Sequence, residues 1–546
     1  MFLMGSMSKF CIMRIRNILF AAAILLVAAC AENKNIFVVD SLEGETWWGL
    51  SNTDGNLQPF TDYAFMDLAN DSRLGETAPF LVSSKGRYIW CESPFIVSCK
   101  AGKFTFESYG DPVQIIKAGE TLKEAYLAAS QRHFPFEGTY PAEELFTKPQ
   151  FNNWIESCMM GINQQSAEEY VKAIGENDFP CGVLMIDGGW LVQHGTMRFN
   201  PETFPDGKHL FDLIRSKGYK SMLWISPYIS GDNAMTFKDY RLSGYRKAPL
   251  LVESNEYPGD ECIVYWWSGR SVSLDLTNPQ GLETFAQQLE ECQKIYGIDG
   301  FKFDGGEAEY FRGKGKFYDG ATAADYAHAY GELCRRFPYH EYRVGYRNGG
   351  SPIMVRLMDV PHDWEKLPDV LYNIQISGLM GLPYTVGDMI GGGLVTHIPT
   401  DGSYSNKYMV RSCQLQTLMP MMQFSMAPWR VLSKKECDIC RDMAKLHVSF
   451  SDYIMEQVRH AAETGEPIVR MMDYEFPGQG FDRKMPQFMF GPDYLVAPVL
   501  REDDCVTVEL PEGKWLDDQG ETFIGPQVLN LVNVPLERLP YYKKIK

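Results

Sequence analysis

The sequence predicts an α/β fold in which a (β/α)8 barrel of parallel strands lies between two β-rich domains. The chain has 546 residues, too many for one hydrophobic core. Short apolar strands alternate with amphipathic helices over residues 148–465, whereas residues 31–147 and 466–546 contain short runs of β-formers between turn residues. We therefore predict three domains with these boundaries, preceded by a leader at residues 1–30.

The leader combines a short basic region with an apolar run. Met13–Asn17 is basic, Ile18–Ala29 is apolar and Cys30 follows. The apolar run is shorter than the roughly 20 residues of a membrane-spanning helix and is typical of a secretory signal. Val27–Cys30 resembles a bacterial lipobox, in which the cysteine is lipidated. We expect a lipid-anchored protein of the bacterial periplasm, outer membrane or cell surface. An ordinary signal peptide with a chance cysteine is the alternative.

The two outer domains are predicted to be β-sandwiches because their apolar runs are short and rich in β-formers. The candidate strands before the barrel are Phe37–Val39, Pro79–Val82, Tyr88–Trp90 and Lys103–Phe106. The candidate strands after it are Gln487–Phe490, Leu495–Leu500 and Val506–Leu510.

Eight strand candidates mark the barrel, and helical patterns lie between several of them. The strands are Asn153–Ile155, Val183–Asp187, Ser221–Ile225, Gly300–Asp304, Tyr342–Tyr346, Met354–Asp359, Tyr384–Asp388 and Met419–Phe424. The helical patterns include Ser166–Ile174, Gly207–Ser216, Gly281–Tyr296 and Ala321–Arg336. Eight such units match a closed parallel barrel of roughly 250 residues plus insertions. The longest insertion, residues 229–280, is predicted to form a hairpin over the barrel mouth.

Charge and cysteine pattern exclude two classes of function. The formal net charge of −18 repels phosphate backbones, so nucleic acid is not an expected partner. Cys437 and Cys440 form a lone C-x-x-C without a second pair, which favours helix-surface or core cysteines over a zinc site.

Four predicted strands end in an aspartate: Asp187, Asp304, Asp359 and Asp388. One such residue alone is better explained as a turn former. Because the carboxyl ends of all barrel strands converge, four of them favour a common pocket. A pocket with two opposed carboxyl groups suits the cleavage of glycosides.

Tryptophans are the second class of candidate site residue. Trp154, Trp190, Trp224 and Trp267 lie near predicted strand ends or on the long insertion. Flat aromatic rings either pack on the apolar faces of sugars or belong to the core, and both interpretations stay open.

Several ordered motifs resemble glycoside hydrolase family 31. Phe301–Glu307 resembles the nucleophile motif of that family. Further similar segments are Met185–Asp187, Phe199–Asp206, Lys217–Pro227, Leu495–Val499 and Pro511–Trp515. The resemblance implies a barrel flanked by β-sandwiches, a retaining mechanism, and no metal or organic cofactor.

The resemblance also implies catalytic roles. Asp304 matches the nucleophile, and Asp359 matches the acid/base because Trp364 follows it by five residues. The tryptophan and glycine that usually precede the acid/base are missing, so Asp363 remains the rival. Retention requires the two carboxyl groups to lie about 5–5.5 Å apart.

The substrate contacts implied by the resemblance surround these two residues. Arg347 matches an arginine near the acid/base, Asp187 matches a carboxylate that binds distant sugar hydroxyls, and Lys302 precedes the nucleophile by two residues. The expected substrate-binding residues are Asp187, Trp190, Trp224, Lys302, Arg347, Asp388, Trp154 and Trp267.

The end of the eighth strand bears on sugar specificity. Gln423–Ser425 stands where α-glucosidases of the family have R-x-H. Together with Arg356–Asp359, this resembles an α-galactosidase-like branch, so we expect an exo-acting α-galactosidase of oligosaccharides or glycans. The alternatives are an α-glucosidase or α-xylosidase and, from another class, a surface glycan-binding lipoprotein without catalysis. The sequence predicts no oligomeric state.

Overall fold

The computed structural model of the protein describes residues 35–230, 240–399 and 404–546. The leader with Cys30 lies outside these residues, so lipid anchoring stays a prediction. Within the described ranges, no helix combines the length and the apolar character needed to cross a membrane.

The N-terminal region forms two packed β-sheets. Its strands are β1 (Asn35–Asp40), β2 (Trp47–Ser51), β3 (Tyr63–Asp67), β4 (Glu76–Ser83), β5 (Arg87–Trp90), β6 (Phe95–Lys100), β7 (Lys103–Ser108) and β8 (Gln114–Lys117). One sheet has the order β1-β7-β6-β3, and the other contains β2, β4, β5 and β8. Buried and half-buried residues alternate along β6 and β7, as expected for strands with one face on a core. Trp47, Phe104 and Phe106 belong to that core.

The strands of the central region are β9 (Gln150–Asn152), β10 (Val183–Ile186), β11 (Lys220–Ile225), β12 (Tyr228–Ser230), β13 (Glu253–Ser254), β14 (Val264–Trp266), β15 (Gly269–Ser273), β16 (Gly300–Phe303), β17 (Gly315–Lys316), β18 (Tyr339–Tyr342), β19 (Gly345–Tyr346), β20 (Val355–Arg356), β21 (Thr385–Val386) and β22 (Gln423–Phe424). Eight of them form a parallel sheet in the order β21-β20-β18-β16-β11-β10-β9-β22. A bridge between Ile390 and Phe424 brings its two ends together, so the sheet is a nearly closed barrel. The predicted barrel fold is confirmed.

Helices connect the barrel strands, and their starts follow local sequence signals. Asn163 and Asp206 each accept a backbone N–H at the start of the helix that follows them. The helices are Leu122–His133, Glu144–Thr147, Trp154–Met160, Gln164–Glu176, Gly207–Ser216, Tyr240–Lys247, Pro279–Tyr296, Ala323–Leu333, Leu367–Leu379, Asn406–Thr417, Pro428–Val431, Lys434–Ser449, Ser451–Thr464 and Met472–Glu475. The long insertion contains the hairpin β14–β15, with Trp267 in its turn.

Two barrel strands differ from the sequence prediction. The first strand is β9, three residues earlier than predicted, and Trp154 begins a helix instead. The fifth strand is β18, also three residues earlier. Both true strands carry buried polar residues, Asn152 in β9 and His340 and Glu341 in β18, and these interrupt the apolar pattern used to find strands.

The segment after β18 leaves the barrel and joins the N-terminal domain. Its strand β19 pairs in parallel with β4, with Gly345 beside Glu76. The buried Glu76 carboxylate accepts hydrogen bonds from the Tyr342 hydroxyl at 2.9 Å and from the Asn348 N–H at 2.7 Å. Only a glycine fits at position 345, since a Cβ there would lie 2.1 Å from a Glu76 oxygen. The N-terminal sheet therefore fixes the chain that follows the fifth barrel strand.

The C-terminal region is the predicted second β domain. Its strands are β23 (Val469–Arg470), β24 (Phe488–Phe490), β25 (Tyr494–Val496), β26 (Val506–Asp517), β27 (Thr522–Leu531) and β28 (Tyr541–Ile545). They form one antiparallel sheet in the order β23-β24-β25-β28-β26-β27. Trp515 is fully buried in a separate core of this domain.

Candidate active site

A cavity of about 280 Å³ lies at the carboxyl ends of the barrel strands. This volume is close to the lower end of the range for small-molecule sites, about 300–1,000 Å³. The lining residues are Trp154, Asp187, Gly188, Trp224, Trp267, Lys302, Asp304, Arg356, Asp359, Met389, Leu394, Val395 and Thr396. Seven predicted site residues are thus brought together around one space.

Asp304 directly follows β16 and is held by three side chains. Its Oδ1 accepts a hydrogen bond from Arg343 Nε at 2.7 Å, and its Oδ2 accepts one from Trp224 Nε1 at 3.1 Å. Arg356 Nη2 lies 3.8 Å from Oδ1. Burial acts to raise the pKa of Asp304, but the positive charges of Arg343, Arg356 and Lys302 outweigh it and hold the pKa well below its usual range. Asp304 is therefore ionised and fixed in orientation.

Asp359 is joined to Asp304 through the Arg356 guanidinium. Arg356 Nη1 donates to Asp359 Oδ1 at 2.6 Å, while Nη2 lies 3.8 Å from Asp304. The Asp359 side chain is 37% exposed at the cavity wall. Asp363 is exposed outside the cavity lining, and its carboxylate accepts the Glu365 N–H at 2.9 Å. Of the two acid/base candidates, Asp359 lines the cavity and Asp363 does not.

Asp388 lies behind this pair. It is buried, accepts a hydrogen bond from Arg356 Nη1 at 3.0 Å and another from the Val360 N–H at 2.7 Å. Burial and the negative charge of Asp359 raise the pKa of Asp388 to about 7. It does not line the cavity, so its contact with substrate is not supported by the geometry. Instead, Asp388 pairs with the Arg356 guanidinium and so holds that side chain in position.

Asp187 and Lys302 form a second polar wall. Lys302 Nζ donates to Asp187 Oδ2 at 2.6 Å, and Asn152 Nδ2 donates to the same oxygen at 2.7 Å. The other oxygen accepts the Gly188 N–H at 2.7 Å. Both charged side chains are nearly fully buried and line the cavity, so each offers a fixed partner to a hydroxyl group.

Three tryptophans form the apolar wall. The Trp267 ring, 63% exposed, has its centroid 6.4 Å from that of Trp154 and 6.0 Å from that of Trp224. Trp190 was predicted with them but is fully buried and outside the lining. Its indole donates to the Trp224 carbonyl at 2.8 Å and packs on Phe199, so it supports the wall from within the core.

Arg347 was predicted to bind near the acid/base, and the structure places it elsewhere. Because the fifth strand ends at Tyr342, the chain has joined the N-terminal sheet by position 347. Arg347 contacts the backbone carbonyl of Glu92 and lies 5.7 Å from the centroid of the Trp90 ring. The arginine bonded to Asp304 is Arg343, and the arginine bonded to Asp359 is Arg356.

Sequence reasoning missed charged residues around Asp304 and Arg356, among them Arg343 and Glu341. Arg343 bonds Asp304 and contacts the Glu307 carboxylate. Glu341 is buried in β18, 3.0 Å from Arg356 Nε, and accepts Gln423 Nε2 at 2.6 Å. The available signal was the pair of charged residues at positions 341 and 343, at the end of a buried strand, because charged side chains are almost never fully buried unless they are paired.

Two family models match the chain. The glycosyl hydrolases family 31 TIM-barrel domain matches residues 147–457, and the family's C-terminal domain matches residues 465–545. Among curated proteins, the mouse myogenesis-regulating glycosidase is 28% identical over 76% of this chain and 58% of its own length. An α-xylosidase of Emericella nidulans is 24% identical over 82% of this chain and 59% of its own length. The chain thus spans about three fifths of these relatives.

Solved structures share the fold. A Flavobacterium johnsoniae dextranase complexed with glucose superposes with a TM-score of 0.82 at 19% identity, covering 94% of this chain and 66% of that one. An α-xylosidase from a soil metagenome, complexed with xylose, gives a TM-score of 0.77 at 21% identity, covering 94% and 79%. At such identities the likeness concerns the fold alone.

We predict that Arg356→Met destabilises the protein in a pH-dependent way. Removing one partner of a buried ion pair costs about 3–5 kcal/mol, because the remaining charges stay buried and unpaired. Burial already raises the pKa of Asp388, to about 7, and that of Glu341. Without the guanidinium these folded-state pKa values rise further above the unfolded ones. The folded variant then binds more protons than the unfolded chain, so its stability falls as pH rises through this window.

Melting temperatures measured between about pH 5 and pH 8 check this prediction, with the deficit against wild type larger at pH 8. Arg430→Met is the control, because Arg430 is 31% exposed and pairs with Glu156 away from the cavity. A deficit that is the same at both pH values, or no larger than that of the control, would contradict the role given to Arg356.

Proposed function

The chain belongs to glycosyl hydrolase family 31, and on that premise we propose that it is a retaining, exo-acting α-glycoside hydrolase. The observation that carries the proposal is the shared guanidinium of Arg356. It lies 3.8 Å from an oxygen of Asp304 and 2.6 Å from one of Asp359, at the wall of one cavity. Two carboxyl groups set around one small space are what the cleavage of a glycoside needs, and the retaining course is proposed from the family resemblance.

The two aspartates differ in environment, which supports different roles. Asp304 has a lowered pKa and is ionised, so it is suited to attack the anomeric carbon. As that bond forms, the bond to the leaving oxygen breaks, and Asp359 donates the proton that this oxygen takes up. Asp359 then removes a proton from water, and the resulting hydroxide displaces Asp304 from the sugar.

The remaining cavity walls fit a single sugar ring. Lys302 and Asp187, paired at 2.6 Å, offer a donor and an acceptor to hydroxyl groups. Trp154, Trp224 and Trp267 offer flat apolar surfaces to the ring's C–H face. The cavity volume of about 280 Å³ favours a terminal sugar over an internal segment of a chain.

For the sugar, we propose a terminal α-galactosyl group of an oligosaccharide or glycan. The support is the eighth strand, where Ser425 stands in place of the histidine expected in the family's α-glucosidases and Gln423 stands in place of the arginine. The Gln423 amide donates a hydrogen bond to Glu341, and the Ser425 hydroxyl accepts one from the Ile155 N–H at 2.8 Å. Both side chains therefore form hydrogen bonds within the protein and do not line the cavity. Relatives named as α-xylosidases and an α-glucosidase make xylose and glucose the alternatives.

The proposal predicts that the protein releases p-nitrophenol from an aryl α-glycoside, with the galactoside cleaved faster than the glucoside or xyloside. Asp304→Asn keeps the side chain's shape but removes the nucleophile, and kcat/KM falls by roughly three orders of magnitude or more. Rates on a panel of the three aryl glycosides are the measurement. Binding of a sugar without cleavage of any of them would support the glycan-binding alternative instead. Preference for glucoside or xyloside would overturn the choice of sugar only.

A second prediction separates the two acid/base candidates. Asp359→Asn lowers kcat/KM by about 10²–10⁴-fold for a disaccharide, whose leaving group needs a proton, and much less for an activated aryl glycoside. Asp363→Asn, exposed outside the cavity, stays within about threefold of wild type on both substrates. The inverse pattern would assign the proton donor to Asp363.

A further inference from the structure

A loop of the N-terminal domain reaches the catalytic end of the barrel. The Leu74 carbonyl accepts a hydrogen bond from Arg343 Nη1 at 2.9 Å. Through Nε the same guanidinium donates to Asp304 at 2.7 Å. Besides the Glu307 carboxylate, which contacts Nη2, one backbone oxygen of another domain thus helps to set the orientation of Arg343 against Asp304.

The backbone of this loop is strained. Arg73 and Leu74 have φ values of 53° and 58°, in the left-handed region that non-glycine residues seldom adopt. Such conformations persist only where the surroundings enforce them, because each costs on the order of 1–3 kcal/mol. Asp54 holds the Arg73 side chain through bonds of 3.1 and 3.0 Å. Beyond the loop, the Gly345 N–H donates to the Gly75 carbonyl at 3.2 Å.

Glu309 holds the tip of the loop directly. It lies in a short 3-10 helix, Ala308–Phe311, five residues after Asp304. One of its carboxylate oxygens accepts the Ser72 N–H at 3.0 Å and the Ser72 hydroxyl. The other accepts the Leu74 N–H at 3.3 Å. Glu309 is not part of the cavity lining.

We infer that Glu309 is a positioning residue for the reacting carboxylate: it fixes the Leu74 carbonyl, which orients Arg343 against Asp304. This inference rests on the proposed role of Asp304 as the nucleophile. The N-terminal domain then helps to set the geometry of the active site, although none of its residues lines the described cavity.

The electrostatics around Asp304 supply a specific readout. The charged groups around it are Arg343, Arg356, Lys302 and Glu307, and Asp359 lines the same cavity. The Tyr330 hydroxyl donates to its backbone carbonyl, and Tyr310 lies close enough to interact with its charge. If Arg343 turns away, the Asp304 carboxylate loses its nearest positive charge while it stays buried beside Glu307. Its pKa then rises, and the enzyme needs a higher pH to keep its nucleophile ionised.

The test compares Glu309→Ala and Glu309→Gln with wild type on the aryl glycoside that wild type cleaves. We expect kcat to fall roughly tenfold or more in Glu309→Ala while KM changes less than about threefold. We also expect the acidic limb of kcat/KM against pH to move up, into the range of roughly pH 4–6. Glu309→Gln keeps one oxygen acceptor and gives an intermediate shift.

Arg312→Ala is the matched control. Arg312 belongs to the same chain turn and contacts the Asn70 carbonyl and Asp71, each at 3.2 Å, without touching Ser72 or Leu74. The substitution removes a contact to the same loop, and we expect the acidic limb of kcat/KM against pH to stay where it is in wild type. Melting temperatures show whether each variant is folded. If Glu309→Ala does not fold, the shift of the acidic limb in Glu309→Gln tests the inference.

The outcomes separate the two proposals. A wild type that cleaves no aryl glycoside overturns the proposed function. A wild type that cleaves, with an unmoved acidic limb in both Glu309 variants, overturns the positioning role. A shift as large in Arg312→Ala as in Glu309→Ala also overturns it, because general loosening between the domains would then explain the effect.

Discussion

The buried guanidinium of Arg356 is the constraint on which the active site depends. Its side chain is 2% exposed and lies within ion-pair distance of Asp304, Glu341, Asp359 and Asp388, at 3.8, 3.0, 2.6 and 3.0 Å. A buried cation is tolerated only with such partners, and the fully buried carboxyl groups of Glu341 and Asp388 depend in turn on the cation. Because the four carboxylates come from four successive barrel strands, or from the residues just after them, one ionic cluster fixes the ends of half the barrel.

A second arginine extends this cluster beyond the barrel. Arg343 bonds Asp304 on one side and the Leu74 carbonyl on the other. The chain that carries it continues into the N-terminal sheet, where Gly345 pairs with Glu76. The geometry of the reacting carboxylate thus depends on packing between two domains, which gives the N-terminal domain a role beyond stability.

The barrel could be predicted because most of its strands contain short apolar runs, and β10, β16 and β21 are followed directly by aspartate or glycine. The predicted position of the fifth strand was wrong, because the buried residues Glu341 and His340 interrupt the apolar pattern of β18. A search for hydrophobic periodicity does not detect such a strand. The misplaced strand led in turn to Arg347 in place of Arg343. The burial of Trp190 was equally beyond the sequence, since a tryptophan near a strand end fits a core as well as a cavity wall.

The chemistry of Asp304 is open to one direct measurement. A 5-fluoro α-glycosyl fluoride of the sugar that is cleaved makes the intermediate accumulate. The fluorine at C5 slows both steps because it destabilises their oxocarbenium-like transition states, whereas the fluoride leaving group keeps the first step faster than the second. Mass spectrometry of the digested protein then locates the trapped sugar. We predict a label on Asp304, within the peptide that contains Phe303 and Gly305. A label on another carboxylate, or steady turnover of the reagent without any label, would contradict the mechanism.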